Sequence, residues 1–293
     1  MIPPLVSFVT WNRMGLTIRN LNALLDNDEE FELHIADNNS RDETWLYIQS
    51  LNDKRIKSKV RFDTNRGQVY AVNYNLSKRR KEQYFITVDS DVNLHTKDWV
   101  TRFIKAFEEF PEVGLLGAVS SNYYYRYKHP LIKHEKNSMS YFQLCRGFVE
   151  GCCQCLRPEV LNHLGYWSEE NCMGDVEICY RICNCTFYNA GFFPGIEIDQ
   201  KQSIQCEQCD ARNWCKIAFK EKNCFKLWSE KYGNPGFKDL YGWKYEKWID
   251  EFKKGIRSAF CASIHDEASR KRHYYNIQMA EENFQYYIKN SNQ

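Results

Sequence analysis

Two kinds of apolar pattern alternate along the first part of the chain. Short runs of β-branched and aromatic residues predict strands, and apolar residues at helical spacing predict the helices between them. The predicted strands are Leu5–Thr10, Phe31–Ala36, Val60–Phe62, Tyr84–Asp89 and Val113–Val119. The predicted helices have apolar faces that include Leu16 and Leu24, Trp45 and Ile48, Val69 and Leu76, and Trp99 and Phe103. Strands that alternate with helices predict an α/β fold, in which helices flank a mostly parallel sheet.

The run from Tyr84 to Asp91 ends in two acidic residues. Its apolar part is typical of a strand buried on both faces, and open α/β sheets bind ligands beyond the carboxyl ends of such strands. If the chain stays extended, Asp89 and Asp91 point the same way, about 6–7 Å apart. Two carboxylates in this arrangement suit Mg²⁺ or Mn²⁺ shared with a diphosphate. A plain turn is the alternative, because Asp and Ser are common turn residues.

Polar residues also follow the first two predicted strands. Asn12 comes after the first strand, and Asp37 comes after the second. Because the carboxyl ends of parallel strands meet at one edge of a sheet, these loops and Asp89 can converge on one ligand. A carboxylate such as Asp37 can accept the imide proton of uracil. There is no G-x-G-x-x-G after the first strand and no phosphate-binding G-x-x-x-x-G-K, which argues against a dinucleotide enzyme and a P-loop nucleotide hydrolase.

Composition narrows the function classes. The 293 residues carry a net charge of +2, which implies no general attraction to nucleic acid or to a membrane surface. No apolar run approaches the ~18 residues of a membrane span. The first residues, Met1-Ile2-Pro3-Pro4, lack the basic segment of a signal peptide. We therefore expect a cytoplasmic protein with reduced cysteines, and we leave open a homodimer and a peripheral contact with the cytoplasmic face of a membrane.

The composition changes at about residue 206, where aromatic residues become frequent among charged ones. This pattern predicts a helical C-terminal region packed on the sheet domain. Gly233–Gly236 predicts a turn, and His265–Gln293 predicts one long final helix. Some of the 13 cysteines lie in apolar runs and are expected in the core: Cys152, Cys153, Cys155, Cys179, Cys183 and Cys185. Four others raise the alternative of a structural zinc site, although only the first two have ligand spacing: Cys206, Cys209, Cys215 and Cys224.

A family resemblance rests on several short motifs taken together. These are Thr10-Trp11-Asn12-Arg13, Asp37 to Thr44, Asn65-Arg66-Gly67 with Ala71 and Asn73, and Asp89-Ser90-Asp91. In order and spacing they resemble the family-two glycosyltransferases of GT-A fold over residues 4–120. The similarity continues more loosely through Val149–Cys152, Leu164–Trp167 and Gly174–Glu177.

The resemblance implies roles for individual residues. It places Asp37 on uracil, Asp89 on the sugar-nucleotide, Asp91 on the metal and Asp175 in the role of catalytic base. The residues expected to bind the nucleotide-sugar are Thr10, Asn12, Arg13, Asp37, Asn39, Asn65, Gly67, Asp89 and Ser90. It also implies three regions: a nucleotide-sugar-binding half (1–120), an acceptor-binding and catalytic half (121–205) and a helical C-terminal region (206–293).

The sequence departs from the family pattern at two positions. Gly174 replaces the glutamate that usually precedes the catalytic aspartate, and together with Met173 it is expected to leave room for an acceptor. No histidine follows at the position where many members use one to help hold the metal. Asp199 is expected to replace that histidine as an oxygen ligand. The predicted metal ligands are therefore Asp91, Asp89 and Asp199.

We therefore expect a glycosyltransferase that depends on Mn²⁺ or Mg²⁺ and inverts the anomeric centre. It would transfer a sugar from a UDP-sugar to a hydroxyl of a glycan, lipid-linked or protein acceptor, contacted by the segment Ser120–Arg146. Glu177 and Glu150 are alternatives to Asp175 as the base, and Asp175 could instead cap a helix. The competing functions are an inactive protein of the same fold, a zinc-stapled nucleic-acid-binding module and a sugar nucleotidyltransferase.

Overall fold

The computed structural model describes residues 2–121, 123–171, 173–200 and 235–291, so the four candidate zinc cysteines lie outside the described residues. The described strands are β1 (Leu5–Thr10), β2 (Glu32–Asp37), β3 (Ile56–Arg61), β4 (Phe85–Asp89), β5 (Val92–Leu94), β6 (Val113–Gly117), β7 (Leu131–Lys136), β8 (Met139–Leu144), β9 (Cys153–Leu156), β10 (Asn189–Phe192) and β11 (Ile198–Gln200). The described helices are α1 (Met14–Leu25), α2 (Thr44–Ser50), α3 (Gln68–Leu76), α4 (Trp99–Glu109), α5 (Pro158–Leu164), α6 (Gly174–Cys185), α7 (Pro235–Lys253), α8 (Glu267–Arg272) and α9 (Ile277–Asn290).

Within the described residues, nine strands form one sheet in the order β3-β2-β1-β4-β9-β6-β10-β8-β7. β1 is parallel to β2 and β4, β2 is parallel to β3, and β6 is parallel to β10. β9 runs antiparallel between β4 and β6, while β8 and β7 extend the sheet as an antiparallel hairpin. β5 and β11 pair separately. The predicted α/β fold, with helices flanking the sheet, is confirmed.

Side chains alternate across the sheet and build an apolar core on each face. On β1, Val6 and Phe8 belong to one cluster, while Leu5 belongs to the other. Leu21 of α1 and Trp99 of α4 pack in the first cluster, and α3, α5 and α6 supply the second. Because both faces are covered, these strands are apolar at successive positions. Cys152, Cys153 and Cys155 lie in the first cluster and Cys179 in the second, as predicted, and the half-buried Cys185 packs against the second. The core position predicted for Cys183 is wrong, because Cys183 is exposed near the end of α6.

The segment Ser120–Arg146, which is expected to contact the acceptor, contains the hairpin of β7 and β8. Its two connecting residues, Asn137 and Ser138, have left-handed backbone with φ of 47° and 64°. Two successive left-handed residues give a two-residue turn whose twist matches the paired strands. The sequence signal was weak because β7 is an edge strand with exposed charges such as Lys133 and Glu135, so it lacks an apolar face.

The C-terminal region is helical where the structure describes it, in residues 235–291, but the single final helix predicted from His265 is wrong. α8 ends at Arg272, and α9 starts anew after Asn276. The Asn276 side chain accepts the N–H of Met279 at 3.1 Å, so it caps the new helix. Asparagine is a favourable N-cap residue, so Asn276 indicates a helix start. The sequence analysis followed the apolar spacing instead and therefore predicted one continuous helix.

The turn predicted at Gly233–Gly236 is also wrong where the structure describes it. Pro235 and Gly236 are the first residues of α7. Proline suits the first turn of a helix, because its missing N–H would have no partner inside the helix. Among the described residues, no helix combines the length and the apolar character that a membrane crossing requires.

Candidate active site

The carboxyl ends of β1, β2 and β4 lie side by side. In the sheet register Thr10 is paired with Asp37, and Val9 is paired with Asp89. Neighbouring strands are about 4.8 Å apart, so the polar loops that follow them border one edge of the sheet. The three strand ends therefore lie together as predicted, while their convergence on one ligand stays a prediction.

The loops after β1 and β2 are tied together by hydrogen bonds. The N–H of Asn12 donates to Ser40 Oγ at 2.7 Å, and Asn12 Oδ1 accepts the N–H of Arg41 at 2.8 Å. Asn12, Arg13 and Asn39 have left-handed backbone, with φ of 57°, 59° and 66°. Residues other than glycine adopt this conformation at an energetic cost and keep it where the surroundings hold them. The hydrogen bonds between the loops provide that restraint.

Asp37 is fully buried, and one of its oxygens has no partner. Oδ1 accepts the N–H of Ser40 at 2.6 Å, whereas Oδ2 has no hydrogen-bond partner in the described part of the chain. Burial raises the pKa of Asp37, and the hydrogen bonds from Ser40 and the charge of Arg61 oppose that rise. An unsatisfied buried oxygen is costly. Oδ2 therefore suits a ligand that brings an N–H group.

The loop at Gly67 connects the loop that follows β2 with the C-terminal region. The N–H of Gly67 donates to Asn65 Oδ1 at 2.9 Å, and Asn38 Nδ2 donates to the Gly67 carbonyl at 3.0 Å. Gly67 has φ of 93°, and a Cβ at this position would lie 2.6 Å from the ring of Tyr287 in α9. Position 67 therefore needs glycine for its backbone conformation and for the close approach of Tyr287. The sequence analysis did not predict the contact with Tyr287.

Two residues predicted to bind the donor are turned into the protein. The hydroxyls of Thr10 and Thr17 lie 2.8 Å apart, and Thr10 is buried. Ser90 is buried as well, and its carbonyl accepts a hydrogen bond from Asn20 Nδ2 at 2.7 Å. Both residues hold the ends of their strands in place, while direct donor contacts by their side chains stay a prediction.

Asp89, Asp91 and Asp175 form an acidic cluster. The pKa of Asp89 is raised well above its usual value by burial and by the negative charges of Asp91 and Asp175. Gln68 Nε2, which the sequence analysis missed, donates to Asp89 Oδ1 at 2.6 Å. Arg13 Nη1 donates to Asp91 Oδ2 at 3.3 Å. Carboxylates whose charges repel one another are a donor set that suits a hard divalent cation.

Asp199, the third predicted metal ligand, lies on β11 opposite Asn93 of β5. Its carboxylate accepts a hydrogen bond from Arg19 Nη2 at 3.1 Å, and its Oδ2 lies 2.8 Å from His95 Nε2. The described residues contain no group of three or more His, Cys, Asp or Glu side chains arranged to hold a metal. Metal binding by Asp199 therefore stays a prediction, and a metal at Asp91 would need further oxygen ligands from outside the described chain.

Asp175 lies in the first turn of α6, next to Gly151. Its Oδ2 accepts the N–H of Gly151 at 2.9 Å, and Met173 occupies the N-cap position of the helix, so the alternative that Asp175 caps α6 is wrong. Burial raises the pKa of Asp175 to about 6; the Gly151 hydrogen bond opposes the rise, and the charges of Glu150 and Glu177 add to it. A general base works best with a pKa near the operating pH. Asp175 thus has the basicity that proton transfer near neutral pH requires.

The two alternative bases have different surroundings. Glu177 is fully buried, pairs with Arg181 at 2.7 Å and accepts the N–H of Ser168 at 2.6 Å. These contacts occupy the carboxylate oxygens of Glu177 inside the protein, so Glu177 is excluded as the general base. Glu150 is half-buried and accepts a hydrogen bond from the Tyr123 hydroxyl at 2.7 Å, so it remains the alternative.

The expected role of Gly174 is not supported. We expected Met173 and Gly174 to leave room for an acceptor, but Gly174 is buried, and a Cβ on it would lie 3.0 Å from Trp167 and 3.1 Å from Val69. The space of the missing glutamate side chain is therefore filled by apolar neighbours. Met173, in contrast, is 39% exposed.

Comparisons with known proteins agree with this geometry. The family model described as glycosyl transferase family 2 matches residues 6–189, which includes Asp37, Asp89, Asp91 and Asp175. A comparison with curated protein sequences gives no match.

The solved structures with a similar fold include a mannosyltransferase and GalNAc-T7. The mannosyltransferase PcManGT from Pyrobaculum calidifontis, in complex with GDP-Man and Mn²⁺, superposes with a TM-score of 0.55 at 17% identity, covering 86% of this chain and 76% of that chain. GalNAc-T7 with UDP, GalNAc and Mn²⁺ gives a TM-score of 0.51 at 12% identity, covering 82% of this chain and 50% of that chain, so this chain spans about half its length. The chain belongs to glycosyltransferase family 2 and is a glycosyltransferase of GT-A fold.

Proposed function

We propose that this enzyme transfers a sugar from a UDP-sugar to an acceptor hydroxyl, with inversion at the anomeric carbon and with Asp175 as the general base. The observation that carries the proposal is the environment of Asp175: a carboxylate with a pKa of about 6, held by the Gly151 N–H beside Asp89 and Asp91. The zinc-stapled nucleic-acid module is set aside, because the family model covers the acidic cleft.

In the proposed reaction the acceptor oxygen forms a bond to the anomeric carbon while the bond from that carbon to the diphosphate breaks. The acceptor proton passes to Asp175, and the bond electrons leave with the diphosphate. Hydrogen bonding by Gly151 to Oδ2 leaves Oδ1 of Asp175 as the oxygen that takes the proton. Met173, exposed beside it, borders the side from which an acceptor can approach.

The two neighbouring carboxylates of Asp89 and Asp91 suit a divalent cation that takes its remaining oxygen ligands from outside the described chain. Asp91 would hold it, with Asp89 and Asp199 as the other predicted ligands, and the cation would supply Lewis-acid stabilisation of the leaving diphosphate. The two similar structures support this choice, since PcManGT and GalNAc-T7 both contain Mn²⁺. Mn²⁺ or Mg²⁺ is therefore the proposed cofactor.

The base of the donor is proposed from Asp37. Its single unpaired oxygen, Oδ2, matches the single imide N–H of uracil, whereas the equivalent edge of guanine presents two neighbouring N–H donors. Because the two similar structures contain GDP-Man and UDP respectively, the choice between uracil and guanine is the first to test.

We expect UDP to bind at least tenfold more tightly than GDP in the presence of Mn²⁺, a difference of ~1.4 kcal/mol. Isothermal titration calorimetry with both diphosphates measures this directly, and a thermal-shift screen of UDP-sugars and GDP-sugars then identifies the sugar. A preference for GDP would contradict the assignment of Asp37 to uracil while leaving the transferase chemistry intact.

Gly151 offers a test of how the base is positioned. A Cβ on Gly151 would lie 2.3 Å from Asp175 Oδ1, so Gly151→Ala must push the carboxylate away. We expect kcat to fall about 10–100-fold with little change in the donor KM, because a displacement near 1 Å misaligns the proton transfer. Steady-state kinetics on the identified acceptor check this.

Gly242→Ala provides the matched control for that variant. Gly242 lies in α7, and a Cβ added to it would meet no heavy atom within 4 Å, so the same substitution there should leave the rate unchanged. A Gly151→Ala enzyme with wild-type kcat would show that Asp175 is not held against Gly151 during catalysis.

A further inference from the structure

We propose that Arg13 acts as a built-in counter-cation at Asp91 and competes with the divalent cation for that carboxylate. The inference rests on the proposed metal site at Asp91 and adds a residue that sets the affinity of the site. Arg13 then determines how readily the enzyme takes up metal before the donor arrives.

The contact lies at the centre of the acidic cluster. Arg13 Nη1 lies 3.3 Å from Asp91 Oδ2, and the Asp91 side chain is only 3% exposed. The guanidinium of Arg13 therefore supplies a positive charge to the buried carboxylate of Asp91 within the acidic cluster.

The backbone holds Arg13 in this place. Asn12 and Arg13 are successive left-handed residues, and Arg13 is the N-cap residue of α1. Their conformation is fixed from the next loop, since the N–H of Met14 donates to Asp42 Oδ2 at 3.0 Å and Asn12 bonds Ser40. Strained backbone that the surroundings maintain is typical of functional sites.

The side chain, in contrast, can move. It is 26% exposed, so it can leave Asp91 for solvent without crossing the core. A buried carboxylate without a counter-charge is costly, and Arg13 removes that cost when no metal is bound. A divalent cation that binds Asp91 replaces this ion pair, and the free energy of breaking it reduces the observed metal affinity.

The test is the affinity for Mn²⁺ alone, measured by electron paramagnetic resonance or calorimetry without nucleotide. We expect Arg13→Gln to bind Mn²⁺ about tenfold more tightly than wild type, because the competing charge is removed. Arg13→Lys keeps the charge and should stay near wild type. Arg102→Gln removes a charge from α4, where Arg102 pairs with Asp98, and should have no effect.

Thermal unfolding gives an independent measurement. Arg13→Gln should melt below wild type without metal and gain more from saturating Mn²⁺, since the cation then supplies the missing counter-charge. Unchanged or weaker Mn²⁺ binding by Arg13→Gln, with Asp91→Asn abolishing it, would overturn the competition but keep the metal site. If Asp91→Asn binds Mn²⁺ like wild type, the proposed metal site itself fails.

Discussion

Replacing Asp175 by asparagine should reduce sugar transfer by ~10²–10⁴-fold, the usual cost of removing a general base. Asparagine has the size of aspartate, and its side-chain oxygen can still accept the N–H of Gly151, so the local structure should persist. Donor affinity should stay within about threefold of wild type, a change below ~1 kcal/mol. A single-turnover assay on the identified acceptor, with donor binding measured on the same sample, tests both expectations.

The pH dependence follows from the pKa of about 6 for Asp175. The ionised form is the base, so the rate should fall about tenfold per pH unit below pH 6 and level off above it. The residual activity of Asp175→Asn should lack this dependence. A wild-type rate without an acid limb near pH 6 would contradict the assignment.

Stability separates a catalytic role from a structural one. The pKa of Asp175 is higher in the folded protein, about 6, than its ordinary value of 3.8, so the native state binds the proton more readily than the unfolded chain. This carboxylate therefore opposes folding above pH 6, and the opposition disappears as the pH falls toward 3.8. Asp175→Asn should melt at or above the wild-type temperature at pH 7.5.

If the Asp175→Asn variant transfers sugar at the wild-type rate, Asp175 is not the general base, and Glu150→Gln is the next variant to test.

Asp91→Asn should abolish the gain in UDP affinity that Mn²⁺ provides. Asparagine keeps the shape of the buried side chain but removes the charge that a divalent cation requires. Calorimetry with UDP, with and without Mn²⁺, gives the result, and equal affinities for wild type and variant in Mn²⁺ would contradict the metal assignment.

Two further variants show which contact is lost. Asp37→Ala should weaken UDP binding by ~1–3 kcal/mol whether or not Mn²⁺ is present, because it removes one hydrogen bond to the uracil ring. Asp199→Asn tests the third predicted ligand. If Asp199→Asn leaves the Mn²⁺ effect intact, Asp199 does not bind the cation, and its contacts, which include those with Arg19 and His95, are structural.

The sequence predicted the part of the fold that local pattern controls. Val6, Phe8 and Leu5 occupy the two faces of β1 as alternation requires, and Asp37 and Asp89 lie at the strand ends where the apolar runs stop. The strand-end residues of the candidate site followed from the same rule, because the edge of a parallel sheet collects its strand ends, whereas Asp175 was indicated by the family resemblance.

What the sequence could not supply depends on contacts between distant residues. Nothing near Gly151 indicates that Asp175 packs on it, and only the folded chain shows that Glu177 is used by Arg181 or that Trp167 fills the space beside Gly174. The hairpin of β7 and β8 was missed because edge strands bury little apolar surface. Tertiary packing decided these positions.

The contact of Tyr287 with Gly67 has a consequence for how the enzyme reaches its active form. The ring and the loop are far apart in sequence, and contacts of high sequence separation form late, because chain entropy must be lost before they contribute. The loop at Gly67 is therefore expected to reach its final contacts only after the C-terminal helices have docked. Recovery of UDP binding during refolding should therefore lag behind recovery of helical circular dichroism, which makes the nucleotide a probe of the final folding step.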